Sequence, residues 1–311
     1  MNIVFFANGP FALPSLDILN KNSNNYKIKA VVTNEDKRSG RGQKLNQTLI
    51  AKFSKKKLLN VIKIKKFNNK VFIDKLKSLD ADLFIVISYR ILPEYIYNIP
   101  KLGSINIHAS VLPEYRGAAP IQRSIIDGKK YLGLTSFFLN ENIDEGNIIL
   151  TKKIPIDDLI TYGESFDNLS NIAPLFLIET LNSILENKQL KVQSNKKATY
   201  ANKINKEEYA VNLDKSSKNV HNKIRGLTPP GCYLFLNNKK VKLYNTYYNS
   251  STLPFGCYKI EENTLLIGCK SGCLEVKKIQ FEGKKIINVK DFKNMNLDKN
   301  IPFKSKKWKH F

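Results

Sequence analysis

The run ADLFIVIS, residues 81–88, is apolar almost without interruption. A strand with no polar alternation has both faces buried, which is the condition of a central strand in a parallel sheet covered by helices on each side. A similar run, NIVFFA (2–7), ends in the turn NGP and is followed by PSLDILNK (14–21), whose apolar residues fall at helical spacing. KIKAVVT (27–33), NVIKI (60–64) and LGSINIH (102–108) read as further strands. Strands that alternate with helical stretches predict a doubly wound, Rossmann-like α/β domain, with ligands at the carboxyl ends of its strands.

The pattern changes along the chain. SFDNLSNIAPLFLIETLNSILEN (165–187) reads as a long amphipathic helix that closes the first domain, 1–187. Residues 188–206 are polar and unpatterned and read as a linker. The remainder, 207–311, carries short alternating runs, CYLFL, VKLYNTYY, TLLIG and CLEVKKIQF, separated by Asn, Gly and Lys. That spacing predicts a small C-terminal β-barrel, OB-like, or a sandwich. A chain of 311 residues is long enough for two such domains.

The formal net charge is +24. Abundant Lys, Asn and Ile suggest that part of it reflects coding bias, so the distribution is more informative than the total. Residues 1–187 hold 25 Lys and Arg against 18 Asp and Glu, whereas residues 188–311 hold 26 against 9. The excess in the shorter segment points to a basic surface suited to a polyanion. The segment NEDKRSGRGQK (34–44) has almost no apolar residue and sets Arg41 between two glycines, which reads as a long mobile loop. The N-terminal apolar run is too short for a secretory signal and no later run is long enough to span a membrane, so a cytoplasmic protein is expected. The four cysteines, Cys232, Cys257, Cys269 and Cys273, lack the paired spacing of a zinc site and read as reduced thiols.

Asn106 and His108 stand two apart at the end of a strand, so their side chains share a face. An amide and an imidazole together can hold a developing oxyanion. Such a pair needs a carboxylate to orient the imidazole, and Asp144, in the loop NIDEGNIIL, is the candidate.

The block INIHASVLPEYRGAAPIQRSIIDG, with GLTSFFLNENIDEGNIIL after it, resembles the formyltransferase family that uses 10-formyltetrahydrofolate, and within it the members that act on methionyl-tRNA. FFANGPFALPSL, VVTNEDKRSGRGQKL, ADLFIVISYRILPEYIYNIPKLG, NKIRGLTPPG and LEVKKIQFEGKK extend the resemblance along nearly the whole chain. The resemblance implies a catalytic triad of Asn106, His108 and Asp144. It implies folate binding by Ser110, Val111, Leu112 and Pro113, with Arg90, Ile91 and Leu92 lining the pterin pocket. It implies tRNA contact by Arg41, with Lys44 adding attraction. The first turn, NGPF, is one residue shorter than the family pattern and lacks its acidic residue. Glu145, Gly146 and Asn147 stand where the family has Thr-Gly-Asp.

The implied reaction moves the formyl group of 10-formyltetrahydrofolate to the free amine of initiator methionyl-tRNA and leaves tetrahydrofolate. No metal, membrane or second subunit is implied; a monomer suffices. Two alternatives stay open at this point. One is a small-molecule formyltransferase or formyltetrahydrofolate hydrolase with the same triad. The other is an inactive RNA-binding descendant.

Overall fold

A computed structural model describes residues 1–39, 43–292 and 302–304. In chain order the first half contains β1 (Asn2–Ala7), α1 (Leu13–Lys21), β2 (Lys27–Asn34), β3 (Lys37–Ser39), β4 (Lys44–Asn46), α2 (Leu49–Lys56), β5 (Val61–Ile64), α3 (Lys70–Ser78), β6 (Leu83–Ile87), α4 (Glu94–Tyr97) and β7 (Ser104–His108). It continues through α5 (Pro120–Ile126), β8 (Tyr131–Phe138), β9 (Ile148–Pro155) and α6 (Tyr162–Leu185). The second half holds α7 (Ser217–Gly226), β10 (Tyr233–Leu236), β11 (Lys239–Asn249), β12 (Tyr258–Glu261), β13 (Thr264–Gly268), β14 (Cys273–Phe281), β15 (Ile287–Asn288) and α8 (Val289–Phe292).

Seven strands form one sheet in the order β5-β2-β1-β6-β7-β8-β9. The strands from β5 to β7 are parallel, and β8 runs antiparallel to β7. The apolar runs became the centre: every residue of β6 is buried, as is every residue of β1 after Asn2. Val4, Phe6, Val32, Phe84 and Val86 meet Phe72 and Leu76 of α3 in one apolar cluster. A fully buried side chain of this size contributes roughly 1.5–3 kcal/mol. Helix starts follow local chemistry. The Thr48 hydroxyl accepts from the Ala51 amide at the start of α2, and the Asn69 side chain accepts from the Phe72 amide at the start of α3. Part of the expected mobile loop is ordered as a hairpin, with Lys37 opposite Asn46 and Arg38 opposite Leu45.

Packing divides the chain into two compact units whose boundaries are not simple cuts. The first comprises Met1–Gly117, Gly133–Ile154 and Phe166–Tyr200. The second comprises Ala118–Leu132, Pro155–Ser165 and the described residues from Ala201 onward. In the second unit, an antiparallel sheet runs in the order β10-β11-β14-β13-β12, with β15 beside β14. Its core gathers Val220 and Ile224 of α7 with Leu234, Leu243, Leu265, Val276 and Ile279. Within the same unit α7 packs on α5, where a Cβ at Gly226 would lie 2.8 Å from Ile126. Helix α7 was passed over in the sequence, although Ser216 caps it and Val220 and Ile224 stand four apart. Among the described residues no helix is long and apolar enough to cross a membrane.

Candidate active site

Strand β7 presents Asn106 and His108 at its carboxyl end, opposite Phe137 and Thr135 of β8. Asn106 is half-buried and His108 is buried. The His108 Nε2 lies 2.8 Å from the carbonyl oxygen of Tyr115. A carbonyl can only accept, so Nε2 is the donor and Nδ1 faces the other way. On that side Asp144 Oδ2 stands 3.7 Å from Nδ1, an ion-pair separation. The same carboxylate oxygen accepts from the Gly117 amide at 2.8 Å.

The loop that carries Asp144 is built for close approach. Asp144 has φ of 55°, in the left-handed region. A Cβ at Gly146 would fall 1.6 Å from the carbonyl oxygen of Phe138, so only glycine fits there. Glu145, at a position where the resemblance expects threonine, accepts from Nη1 of the fully buried Arg116 at 2.6 Å.

The folate stretch implied by the resemblance lies directly after β7. It is locked by its own hydrogen bonds. Thr135 Oγ1 donates to the Ser110 carbonyl at 2.7 Å and accepts from the Leu112 amide at 3.1 Å. Ser110 Oγ donates to the Glu114 carbonyl, and the Glu114 amide to the Val111 carbonyl. The Leu112–Pro113 peptide is cis. Arg90, Ile91 and Leu92 follow β6, the neighbour of β7. The Arg90 guanidinium stacks on Phe67 at 4.1 Å and donates to the carbonyls of Ile64 and Lys65. Leu92 is buried, whereas Ile91 is 68% exposed. At the first turn, Asn8 Oδ1 accepts from the Asn34 amide at 2.8 Å and the Thr33 hydroxyl at 3.0 Å, which ties β1 to β2 where the acidic residue is missing.

The structure brings together Asn106, His108, Asp144 and the 110–113 stretch. Arg41 lies outside the described residues, and Lys44 is placed in β4. The sequence reading missed Tyr115, Arg116, Gly117 and Gln193. Gln193 lies in the segment read as a linker, where no periodicity singles it out. Burial holds the Cys232 thiol up at about 12 and the Cys269 thiol at about 11. Among the described residues no group of His, Cys, Asp and Glu is arranged to hold a metal ion.

Family comparison covers both halves of the chain. Residues 1–181 match the family described as formyl transferase, and residues 203–297 match formyl transferase, C-terminal domain. A methionyl-tRNA formyltransferase of Syntrophomonas wolfei is 35% identical over 299 residues, covering 94% of this chain and 95% of that protein. One from Thermodesulfovibrio yellowstonii is 37% identical over 292 residues, covering 93% and 94%. Among solved structures, a sugar 3N-formyl transferase, WlaRD, described with dTDP and 5-N-formyl-THF, superposes with a TM-score of 0.67 at 21% identity. It covers 92% of this chain and 99% of that one. An N-formyltransferase from Helicobacter canadensis gives 0.65 at 20% identity, covering 88% and 98%. At these identities the structural likeness shows the fold.

Proposed function

The chain belongs to the formyl transferase family, and from that premise we propose that it transfers the formyl group of 10-formyltetrahydrofolate to the free amine of methionyl-initiator tRNA, for translation initiation. The observation that carries the chemistry is the pairing of His108 with Asp144 at the end of β7, with Asn106 on the same strand face. The named relatives, similar across both halves of the chain, support the acceptor. The basic second half supports a nucleic-acid partner.

In this reading Asn106 donates its amide N–H to the formyl oxygen as charge develops on it during attack by the amine. Removing one such donor typically costs about 10²–10³ in rate. His108 stands beside that oxygen, its ring fixed by Tyr115 and its Nδ1 directed toward Asp144. Asp144 orients the imidazole and takes part in moving the amine proton. That proton must reach the folate nitrogen for tetrahydrofolate to leave, and in this reading it passes through His108 Nδ1, the ring nitrogen not bound to the main chain. The backbone of 110–113 holds the folate, and the exposed Ile91, with residues 90–92, lines the pterin. Arg41 and Lys44 meet the tRNA from the segment between β2 and α2, and residues 207–311 contribute a basic tRNA-binding domain. The enzyme acts in the cytoplasm as a monomer.

The test is an acceptor competition. Labelled formyl is supplied on 10-formyltetrahydrofolate, with initiator methionyl-tRNA, glycinamide ribonucleotide and water offered together. Label in methionyl-tRNA is expected. Label in the ribonucleotide or in free formate would move the protein to a small-molecule transferase or a hydrolase, and absence of turnover would make it an inactive RNA-binding relative.

A further inference from the structure

The segment that follows α6 reaches back to the candidate active site within the first unit. Gln193 uses its whole carboxamide there. Its Oε1 accepts from Arg116 Nε at 3.2 Å and from Nη2 at 2.9 Å. Its Nε2 donates to the carbonyl oxygens of Asp144 at 2.9 Å and Gly146 at 2.8 Å. The opposite orientation of the amide would set NH₂ against a guanidinium and oxygen against two carbonyls, so only this one satisfies all four partners. Arg116 completes its own set with Glu145 at 2.6 Å and Asn195 at 3.0 Å. Its side chain is entirely buried, and Glu145 supplies the opposite charge that such a cation needs.

Three successive residues therefore brace the site. The Tyr115 carbonyl holds His108, the Arg116 guanidinium holds Glu145 and Gln193, and the Gly117 amide holds the Asp144 carboxylate. Thr199 anchors this tripeptide from the other side. Its hydroxyl accepts from the Tyr115 amide at 2.9 Å, its carbonyl accepts from the Arg116 amide at 2.9 Å, and its own amide donates to the Pro113 carbonyl.

We infer that Gln193 and Arg116 are positioning residues that set where Asp144 stands relative to His108. The inference rests on the assignment of His108 and Asp144 to the chemistry proposed above. The carboxylate sits in a loop with a left-handed residue and a glycine, neither of which holds a fixed backbone by itself. Hydrogen bonds to the carbonyls on both sides of Glu145 fix that backbone from outside. A displacement near 1 Å at a reacting centre costs on the order of 10²-fold in rate.

The experiment uses the full chain with Gln193→Ala. kcat for formyl transfer to methionyl-tRNA is expected to fall by about 10–100-fold. KM for folate and for tRNA is expected to stay within about threefold, because the whole Gln193 carboxamide is taken up by Arg116 and the Asp144 and Gly146 carbonyls. Hydrogen exchange of the Gly117 amide should accelerate, since its acceptor is the Asp144 carboxylate. If Gln193→Ala does not fold, Gln193→Glu replaces it; the new carboxylate still pairs with Arg116 but sets an oxygen against the Asp144 and Gly146 carbonyls. A variant that keeps kcat within about threefold, with Gly117 as protected as in the wild type, overturns the inference. So does a loss confined to KM. If the wild-type enzyme itself formylates no methionyl-tRNA, the proposed function fails, while the exchange comparison still decides whether Gln193 fixes the loop.

Discussion

The Nε2 of His108 donates to the carbonyl oxygen of Tyr115 at 2.8 Å. Because that acceptor belongs to the main chain, Nε2 keeps its proton in every protonation state, and the exchangeable position is Nδ1, the nitrogen facing Asp144. Nitrogen-15 spectra of histidine-labelled protein should therefore show His108 in the Nε2–H tautomer when neutral. The signal is assigned by its disappearance in His108→Ala. A neutral ring protonated on Nδ1 would contradict the geometry.

Gly146 is tied on three sides. Its carbonyl accepts from Gln193, its neighbour Asn147 accepts from the Phe138 amide, and its missing Cβ leaves room for the Phe138 carbonyl. Gly146→Ala must push the loop away. We predict a loss of about 1–3 kcal/mol in stability, as for an overpacked site. Formyl transfer should fall by at least about tenfold, because Asp144 moves with the loop. Thermal unfolding and kcat check both; an unchanged kcat would separate the loop from the chemistry.

The second unit contains a buried histidine, His221. His221 donates from Nε2 to the Asp158 carbonyl at 2.7 Å and shares a hydrogen bond between Nδ1 and the Thr246 hydroxyl at 2.9 Å. Burial lowers its pKa below the usual 6.5, and the nearby Arg225 cation adds to the effect against the opposing pull of Asp158. Below about pH 6.5 the unfolded chain takes up a proton that the folded chain refuses, so stability falls as pH falls through that range. The Asp158 carboxyl is itself lowered, chiefly by its bond to Lys130, and titrates well below this window. Wild-type Tm should decline between pH 7 and pH 5 more steeply than that of His221→Gln. Parallel curves would exclude His221 as the source.

The uneven charge bears on the tRNA. A cradle making about five phosphate contacts should give a log–log salt slope of roughly −3 to −5. Arg41→Ala should weaken tRNA binding and leave folate binding unchanged; equal loss of both would place the loop at the folate pocket. Removing residues 188–311 is not a clean way to test the cradle. Residues 118–132 and 155–165 pack with the second unit, and Gln193 and Thr199 hold the site. Lys→Gln changes on the sheet of the second unit serve better. A slope unchanged within one unit after four such changes would assign the charge to coding bias.

The sheet was legible where apolarity is continuous: ADLFIVIS became β6 and LGSINIH ended as β7, with His108 at its tip. Asn106 and His108 could be read as neighbours because residues two apart on a strand share a face, whereas Asp144 was joined to them by the family resemblance. Arg116 and Gln193 were not, because they are 77 residues apart and meet only in the fold. A buried arginine announces itself by burial, which no local spacing encodes. The hairpin of β3 and β4 was read as mobile because its strands carry charge in place of alternation. An expected long helix at 165–187 is present as α6 over Tyr162–Leu185, and it tolerates Pro174 in its interior.

The central claim is that His108 and its partners carry out the transfer itself. Single-turnover formylation of initiator methionyl-tRNA, with 10-formyltetrahydrofolate bound in advance to wild type and to His108→Ala, tests it most directly. The account predicts that the variant binds folate within about threefold of wild type and transfers formyl at least about 10²-fold more slowly. Transfer by His108→Ala within about threefold of the wild-type rate would contradict it.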